Sequence, residues 1–216
     1  MISTTGGGGG PTGAGEGSSR MAFDIRPGES YTIRRKVLKI FGAAFHIYDP
    51  QGKVVGYCKQ KAFKLKEDIR VYTDESCSTE LIVIKARSVI DFGAGYDVTL
   101  GDGTTLGSLR RKGMKSTFLK DHWMVFDRSG QPIADLQEEG GFLALARRYV
   151  DYVSLLAPQK FTLKRTDGTE IARYRQHFNL FVYRLSISVQ KDDPQLDDLV
   201  ILAAGCLIAA IEGRQG

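Results

Sequence analysis

The sequence is poor in the residues from which most catalytic and metal sites are built. It contains three histidines among 216 residues, and its three cysteines stand far apart with no Cys-x-x-Cys pair. An odd number of scattered cysteines excludes the usual zinc and dithiol motifs and favours a reduced, intracellular protein. His-x-x-x-His and Gly-x-Ser-x-Gly patterns are also absent. We therefore predict a protein that is not an enzyme and that needs no metal or cofactor.

Neither sign of charge dominates the composition. Lysine and arginine number 30 against 25 acidic residues, which gives a net charge of +5. This mild excess permits contact with lipid phosphates, although a solvated exterior is the plainer explanation, and no nucleic-acid partner is expected. Residues 1–20 are rich in glycine and lack the basic-then-apolar order of a signal peptide. We interpret them as a disordered Gly/Ser-rich tail and residues 21–216 as a single domain located in the cytoplasm.

A fourfold repeat organises the rest of the chain, and it becomes visible when four glycines are aligned: Gly52, Gly103, Gly130 and Gly168. Seven positions before each glycine stands an aromatic residue: Phe45, Tyr96, Trp123 and Phe161. Two positions after each aromatic comes an aliphatic residue: Ile47, Val98, Val125 and Leu163. Three positions after each glycine, an aliphatic residue precedes a small one: Val55-Gly56, Leu106-Gly107, Ile133-Ala134 and Ile171-Ala172. Apolar residues two apart line one face of a strand, and glycine beside Asp or Ser favours a turn, so each copy is predicted to be a β-hairpin.

The number of strands predicts how the sheet is completed. Further alternating runs at residues 32–40, 69–72, 81–86 and 181–189 raise the total to about twelve strands. A meander of that length either splits into a sandwich or closes, and closure removes the exposed edges. We predict a mainly β protein, a closed antiparallel barrel. Residues 141–156 have apolar side chains at helical spacing and are interpreted as a short helix, although an extended structure is also compatible with them.

The longest apolar run lies near the C-terminus, at residues 199–211. It is apolar on every face, which predicts a helix buried on all sides, and Asp197 and Asp198 stand where acids stabilise a helix start. Thirteen helical residues extend about 20 Å, against about 30 Å for a bilayer core. We therefore expect a hydrophobic helix at residues 196–211 enclosed by the barrel, with insertion into a membrane as the alternative.

Several of these segments together resemble a known superfamily. They are Tyr48-Asp49-Pro50-Gln51-Gly52, the basic run at 59–65, the strand at 69–72, and the passage from Asp197-Asp198-Leu199 to Ala209-Ala210-Ile211-Glu212. In order and spacing the chain resembles the tubby C-terminal-like superfamily, in particular bacterial LURP-one-related and phospholipid scramblase-like proteins. The resemblance implies a twelve-stranded barrel around a central helix, and binding of lipid phosphates or membrane-tethered regulation without catalysis.

Scramblase relatives carry a calcium-linked acidic stretch before the last helix. Asp192, Asp193, Asp197 and Asp198 lie in the comparable place, but Pro194 interrupts them and no glutamate stands at the twelfth position. The spacing therefore favours helix capping over calcium binding.

Basic residues supply the candidate ligand-binding patch: Lys59, Lys61, Arg110, Arg111, Lys112 and Lys115. Such side chains could hold an anionic headgroup through charge-assisted hydrogen bonds, whereas a basic exterior that keeps the sheet in solution is the alternative. His46 and His122 adjoin core aromatics and are expected to point outward.

Three functions remain open. The first is a binding or scaffold module for anionic phospholipid headgroups or for a protein partner, peripheral to the membrane. The second is lipid translocation with the terminal helix inserted in a bilayer. The weakest is an enzyme or carrier that uses the barrel interior, because the helix is expected to fill that space.

Overall fold

The computed structural model describes residues 26–36, 44–59, 68–87, 95–112, 122–139, 158–177 and 182–212. The first six strands in these ranges are β1 (Ser30–Lys36), β2 (Ala44–Tyr48), β3 (Val54–Lys59), β4 (Asp68–Tyr72), β5 (Glu80–Ala86) and β6 (Gly95–Leu100). The next six are β7 (Thr105–Arg111), β8 (His122–Phe126), β9 (Pro132–Glu138), β10 (Lys160–Arg165), β11 (Glu170–His177) and β12 (Val182–Val189). One helix, α1 (Asp198–Glu212), follows. The predicted tail at 1–20 and the predicted short helix at 141–156 lie outside these ranges.

The twelve strands of the described ranges form a closed antiparallel barrel. Each strand pairs with its neighbours in sequence, and β1 also pairs with β12, for example Ile33 with Leu185. The predicted barrel is therefore confirmed. Each of these twelve described strands has a neighbour on both sides, so closure removes the sheet edge that would otherwise invite aggregation.

The repeat seen in the sequence corresponds to a hairpin with a bulge. In the first copy Ile47 pairs with Gly56 but Tyr48 pairs with Val54, so Val55 is the extra residue on its strand. In the other three copies the same register shift makes Leu106, Ile133 and Ile171 the extra residues on their strands. The four aligned glycines have φ between 80° and 91°, a backbone conformation that side chains other than glycine rarely adopt. The aliphatic residue after each glycine thus marks a bulge, which bends and twists the strand toward closure.

A fifth hairpin of this kind joins β4 to β5. Val71 pairs with Ile82 and Tyr72 with Glu80, so Leu81 is the extra residue. Cys77 takes the left-handed place that glycine holds in the other copies, with φ of 56°. The sequence alignment missed this copy because a cysteine stands for the glycine and the turn is two residues longer.

Helix α1 fills the barrel. Its side chains from Leu199 to Ala210 are buried, and it packs against β1, β5, β7 and β12. The repeat aromatics Phe45, Tyr96, Trp123 and Phe161 are buried as well, at 0 to 6% exposure. The predicted central helix is confirmed, two residues later in its start and one later in its end. Of the helices in the described residues, none combines the length and apolar character that crossing a bilayer requires.

Small residues allow the helix to approach the wall. A Cβ atom at Gly205 would overlap Cδ1 of Ile187 and lie 3.3 Å from Cδ1 of Ile33. On the wall, a Cβ at Gly107 would lie 2.5 Å from the carbonyl oxygen of Phe126 and 3.5 Å from Cγ2 of Val200. Close packing between helix and wall therefore requires glycine at position 205 of the helix and at position 107 of the wall.

Candidate functional site

The two ends of the barrel differ in how strands are joined. At one end, which we call the turn end, short turns connect the five bulged hairpins: residues 49–53, 73–79, 101–104, 127–131 and 166–169. Because neighbouring strands are antiparallel, the odd-numbered strands β1 to β11 all finish at the opposite end, which we call the loop end. The loop end is where the termini of β3 and β7 place the basic residues selected from the sequence.

Aspartates stabilise the turns at the turn end. Oδ1 of Asp127 accepts hydrogen bonds from the backbone N–H groups of Ser129 at 2.9 Å and Gln131 at 2.8 Å. Asp49 holds Gln51 and Lys53 in the same way. The segment at 101–104 is one of these turns, with Asp102 accepting from the N–H of Thr104 at 2.7 Å. These carboxylates are therefore occupied by their own turns.

The acidic residues before α1 position the helix. Asp197 caps its N-terminus, since Oδ1 accepts from the N–H of Leu199 at 3.1 Å, and its Oδ2 also accepts from Arg128 at 2.7 Å. Asp193 is almost buried, and both of its carboxylate oxygens accept from Arg165 Nη1 at 2.8 to 2.9 Å. The predicted capping role is confirmed for Asp197. Among the described residues no group of three or more His, Cys, Asp or Glu side chains could hold a metal ion.

The basic residues selected from the sequence fall on two separate strands. Lys59 ends β3, whereas Arg110 and Arg111 end β7 and Lys112 follows directly. Both groups are at the loop end, but β4, β5 and β6 lie between them in the sheet. Lys61 and Lys115 lie outside the described residues. The patch as a whole stays a prediction, and its described part divides into Lys59 and a β7 cluster.

The three basic residues of the β7 cluster, Arg110, Arg111 and Lys112, have different surroundings. Arg110 is exposed, with its guanidinium carbon 4.9 Å from the centre of the Phe126 ring. Arg111 is half-buried and lies 5.8 Å from the Trp123 ring on the inner side of the barrel. Lys112 is exposed. Cation–π contacts of this kind hold a guanidinium in place without neutralising its charge.

The histidines are spread over the outer surface. His46 Nε2 lies 2.7 Å from a carboxylate oxygen of Glu75, and His122 Nε2 lies 2.6 Å from one of Asp135. His177 Nε2 lies 2.8 Å from the hydroxyl of Ser186. The outward orientation predicted for His46 and His122 is confirmed, and each of the three histidines has a different partner.

Barrel closure brings together cations that the sequence keeps far apart. On the outer face Arg34 of β1 stands directly opposite Arg184 of β12, and Arg184 stands opposite His177 of β11. Arg175 is two residues before His177 and lies on the same face. We call Arg34, Arg175, His177 and Arg184 the seam patch. Sequence analysis did not identify the patch, because pairing of the first and last strands is not visible in local spacing.

Comparison with known protein families gives one match. A family model described as LURP-one-related matches residues 54–209. The chain belongs to the LURP-one-related family. This confirms the resemblance drawn from the turn, strand and helix segments, and it places the chain in the tubby-like and scramblase superfamily, whose LURP-one-related and tubby-like members are generally non-enzymatic.

Similarity to individual proteins is weaker than the match to the LURP-one-related family. No curated protein sequence matches the chain. The X-ray structure of a protein from Arabidopsis thaliana is similar at 15% identity and a TM-score of 0.48, with 87% of this chain and 94% of that chain covered.

Proposed function

We propose that this LURP-one-related protein is a non-enzymatic module that binds anionic phospholipid headgroups through the β7 cluster at the loop end. Family membership supports lipid binding in general terms. The observation that carries the proposal is that Arg110 and Lys112 are exposed at the loop end. Within the described residues, neither forms an ion pair with a carboxylate. No carboxylate that the structure describes neutralises these charges, and this supports binding of an external anion.

The filled interior supports a surface site. Side chains of α1 from Leu199 to Ala210 occupy the centre of the barrel, which leaves the outer face and the ends for ligands. A basic residue near an anionic bilayer contributes about 1 kcal/mol to binding, so two such residues give weak, reversible attachment. Peripheral attachment of this strength suits a regulatory or scaffold module better than an integral protein.

Vesicle flotation tests the proposal. We expect the wild-type chain to float with phosphatidylserine-containing vesicles but not with phosphatidylcholine alone. The double variant Arg110→Gln/Lys112→Gln should bind at least about tenfold more weakly. A control with the same change in charge is Lys53→Gln/Lys191→Gln, two exposed lysines at the turn end. Equal recovery with neutral and anionic vesicles would remove the lipid version and leave a protein partner as the remaining binding function.

Lipid translocation by an inserted helix gains no support, because α1 lies inside the barrel. Thiol labelling separates the two arrangements. Burial raises the pKa of the Cys206 thiol, which therefore stays protonated and unreactive in the folded barrel. We expect Cys206 to react only after denaturation, both with and without vesicles. Labelling of Cys206 in the native protein would contradict the enclosed helix.

A further inference from the structure

The cations of the seam patch lie beside hydroxyl groups on three adjacent strands. The row nearer the loop end contains His177, Arg184 and Arg34 in direct register. The next row has Arg175 opposite Ser186, and Ser186 opposite Thr32. Guanidinium, imidazole and hydroxyl groups are the side chains that proteins use to bind phosphate.

The patch places like charges next to one another. Residues directly opposite in an antiparallel pair have Cβ atoms about 4.5–5.5 Å apart, and like charges there destabilise the sheet. Arg34 and Arg184 occupy such a pair. In the described part of the chain, no carboxylate forms an ion pair with Arg34, Arg175 or Arg184. An arrangement that works against folding and is not balanced by any carboxylate of the described residues points to a function that requires the charges.

The carboxylate of Glu75 is already paired with a histidine. It lies 2.7 Å from Nε2 of His46, which stands opposite Arg34. By contrast, Nε of Arg184 is buried and receives no hydrogen-bond partner from the described residues. Buried donors of this kind are rare in folded proteins and call for an explanation such as a ligand.

Local contacts hold the patch in place. The Arg34 guanidinium carbon lies 4.6 Å from the centre of the Tyr48 ring, and the Ser186 hydroxyl lies 2.8 Å from His177 Nε2. Partial burial, together with the charges of Arg175 and Arg184, lowers the pKa of His177. Burial is the larger cause, and the smaller contributions of the two arginines reflect the positive charge around the imidazole.

We propose that the seam patch binds the phosphomonoester group of a lipid headgroup, at a site separate from the β7 cluster. A phosphomonoester carries nearly two negative charges and three acceptor oxygens at neutral pH, which suits several guanidinium groups better than a phosphodiester does. The proposal rests on the proposed function, since it assumes that headgroups are bound.

The surroundings of the patch favour a membrane as the source of the phosphate. The row of Arg34 continues across the outer face through His46, Tyr57 and Tyr72. Tyrosine rings prefer the boundary between water and lipid, where the ring meets apolar groups and the hydroxyl stays hydrated. Arginines beside tyrosines along one outer row therefore suit the headgroup level of a bilayer.

Flotation with two kinds of vesicle tests the proposal. Phosphatidate presents a phosphomonoester and phosphatidylserine does not, so vesicles of each are prepared at equal surface charge. We expect the wild-type chain to prefer phosphatidate. The double variant Arg34→Gln/Arg184→Gln should lose that preference and bind phosphatidate about tenfold or more weakly. The control Lys53→Gln/Lys191→Gln, with the same change in charge, should keep it.

The other possible outcomes distinguish failure of the proposed lipid-binding function from failure of the seam-patch proposal. If the wild-type chain floats with neither anionic vesicle, the proposed function itself fails. If the wild-type chain floats but Arg34→Gln/Arg184→Gln binds phosphatidate as well as the control Lys53→Gln/Lys191→Gln does, only the seam-patch proposal fails. Binding of glycerol 3-phosphate that is lost in Arg34→Gln/Arg184→Gln, without flotation of the wild-type chain, would assign the site to a soluble phosphate. If Arg34→Gln/Arg184→Gln still floats like the wild type but no longer binds a phosphoserine peptide, the site is assigned to a protein ligand. Either of these two results overturns the membrane assignment.

A stability measurement guards against a purely structural explanation. Because removal of one of two opposed like charges relieves repulsion, the thermal midpoint of Arg184→Gln should stay equal to that of the wild type or rise. A marked fall would mean that Arg184 supports the fold through its packing, and the proposal would then be overturned.

Discussion

The hydroxyl of Tyr174 on β11 donates a hydrogen bond to the backbone carbonyl oxygen of Ile201 in α1, with 2.9 Å between the oxygens. Both residues are buried, and burial raises the pKa of the Tyr174 hydroxyl, which therefore stays protonated as a donor. This bond ties the wall of the barrel to the enclosed helix. It is a polar contact in a core that is otherwise almost wholly apolar.

Replacement of Tyr174 by phenylalanine should weaken that tie. The hydrogen bond is lost, but the Ile201 carbonyl keeps the acceptor role that helix geometry gives it, so we expect a loss of about 1 kcal/mol in unfolding free energy. Urea denaturation measures the change. Tyr57→Phe on the outer face is the control and should be near neutral. Equal effects of the two substitutions would show that the bond to the helix contributes nothing.

Removal of α1 should unfold the domain. A chain truncated after Asp193 loses the helix and leaves the inward aromatics Phe45 and Trp123 without their packing. Each large buried side chain contributes about 1.5–3 kcal/mol, so several losses exceed a typical stability of about 5–15 kcal/mol. Leu202→Asp should act similarly, because an unpaired charge is placed in an apolar core. Thermal unfolding and Trp123 fluorescence report the result, and a monomeric fragment with a cooperative transition would contradict an enclosed helix.

Gly205→Ala should destabilise the protein despite a better helix former. Alanine improves helix propensity by about 1 kcal/mol, but its Cβ would overlap Cδ1 of Ile187. We expect the steric overlap to outweigh the gain in helix propensity, with a net loss of about 1–3 kcal/mol in unfolding free energy. Ile187→Val removes the overlapping methyl, so the double variant should recover part of the loss. Additive effects in this double-mutant cycle would show that the two residues do not meet.

The turn aspartates should make stability fall in acid. The pKa of Asp127 is lowered below its ordinary 3.8, chiefly by the hydrogen bond from the Ser129 hydroxyl and then by the backbone N–H of Gln131. A folded-state pKa below the unfolded one gives stability that is present above about pH 3.8 and is lost as the pH falls through the folded value. The stability difference between wild type and Asp127→Asn should therefore shrink below pH 4 in urea titrations. A difference independent of pH would contradict this account.

Local chemistry made much of the fold predictable. Glycine beside Asp or Ser at four aligned positions identifies turns, and residues two apart identify strand faces, so Phe45 and Trp123 could be assigned to the core without coordinates. The hairpin at Cys77 was missed because its left-handed residue carries a side chain. The bulge at Val55 was also invisible, since register depends on which partner residue the opposite strand presents.

The candidate site was less predictable. Lys59 and Arg110 look alike as basic residues near strand ends, but the number of strands between them decides whether they can share a ligand. Arg34 and Arg184 stand 150 residues apart in the chain and directly opposite in the sheet. No local pattern contains that relationship, because it arises from the closing pair of the barrel.

The sequence by itself determined the hairpins, the direction in which side chains such as Phe45 and His46 point, and the burial of the apolar helix. These properties follow from backbone turn geometry, from the alternation of a strand and from the need to remove apolar surface from water. Only the tertiary structure decided the pairing of β1 with β12, the fit of Gly205 against Ile187 and the juxtaposition of Arg34 with Arg184. Those features depend on contacts between residues far apart in the chain, whose geometry is set when the whole sheet closes around the helix.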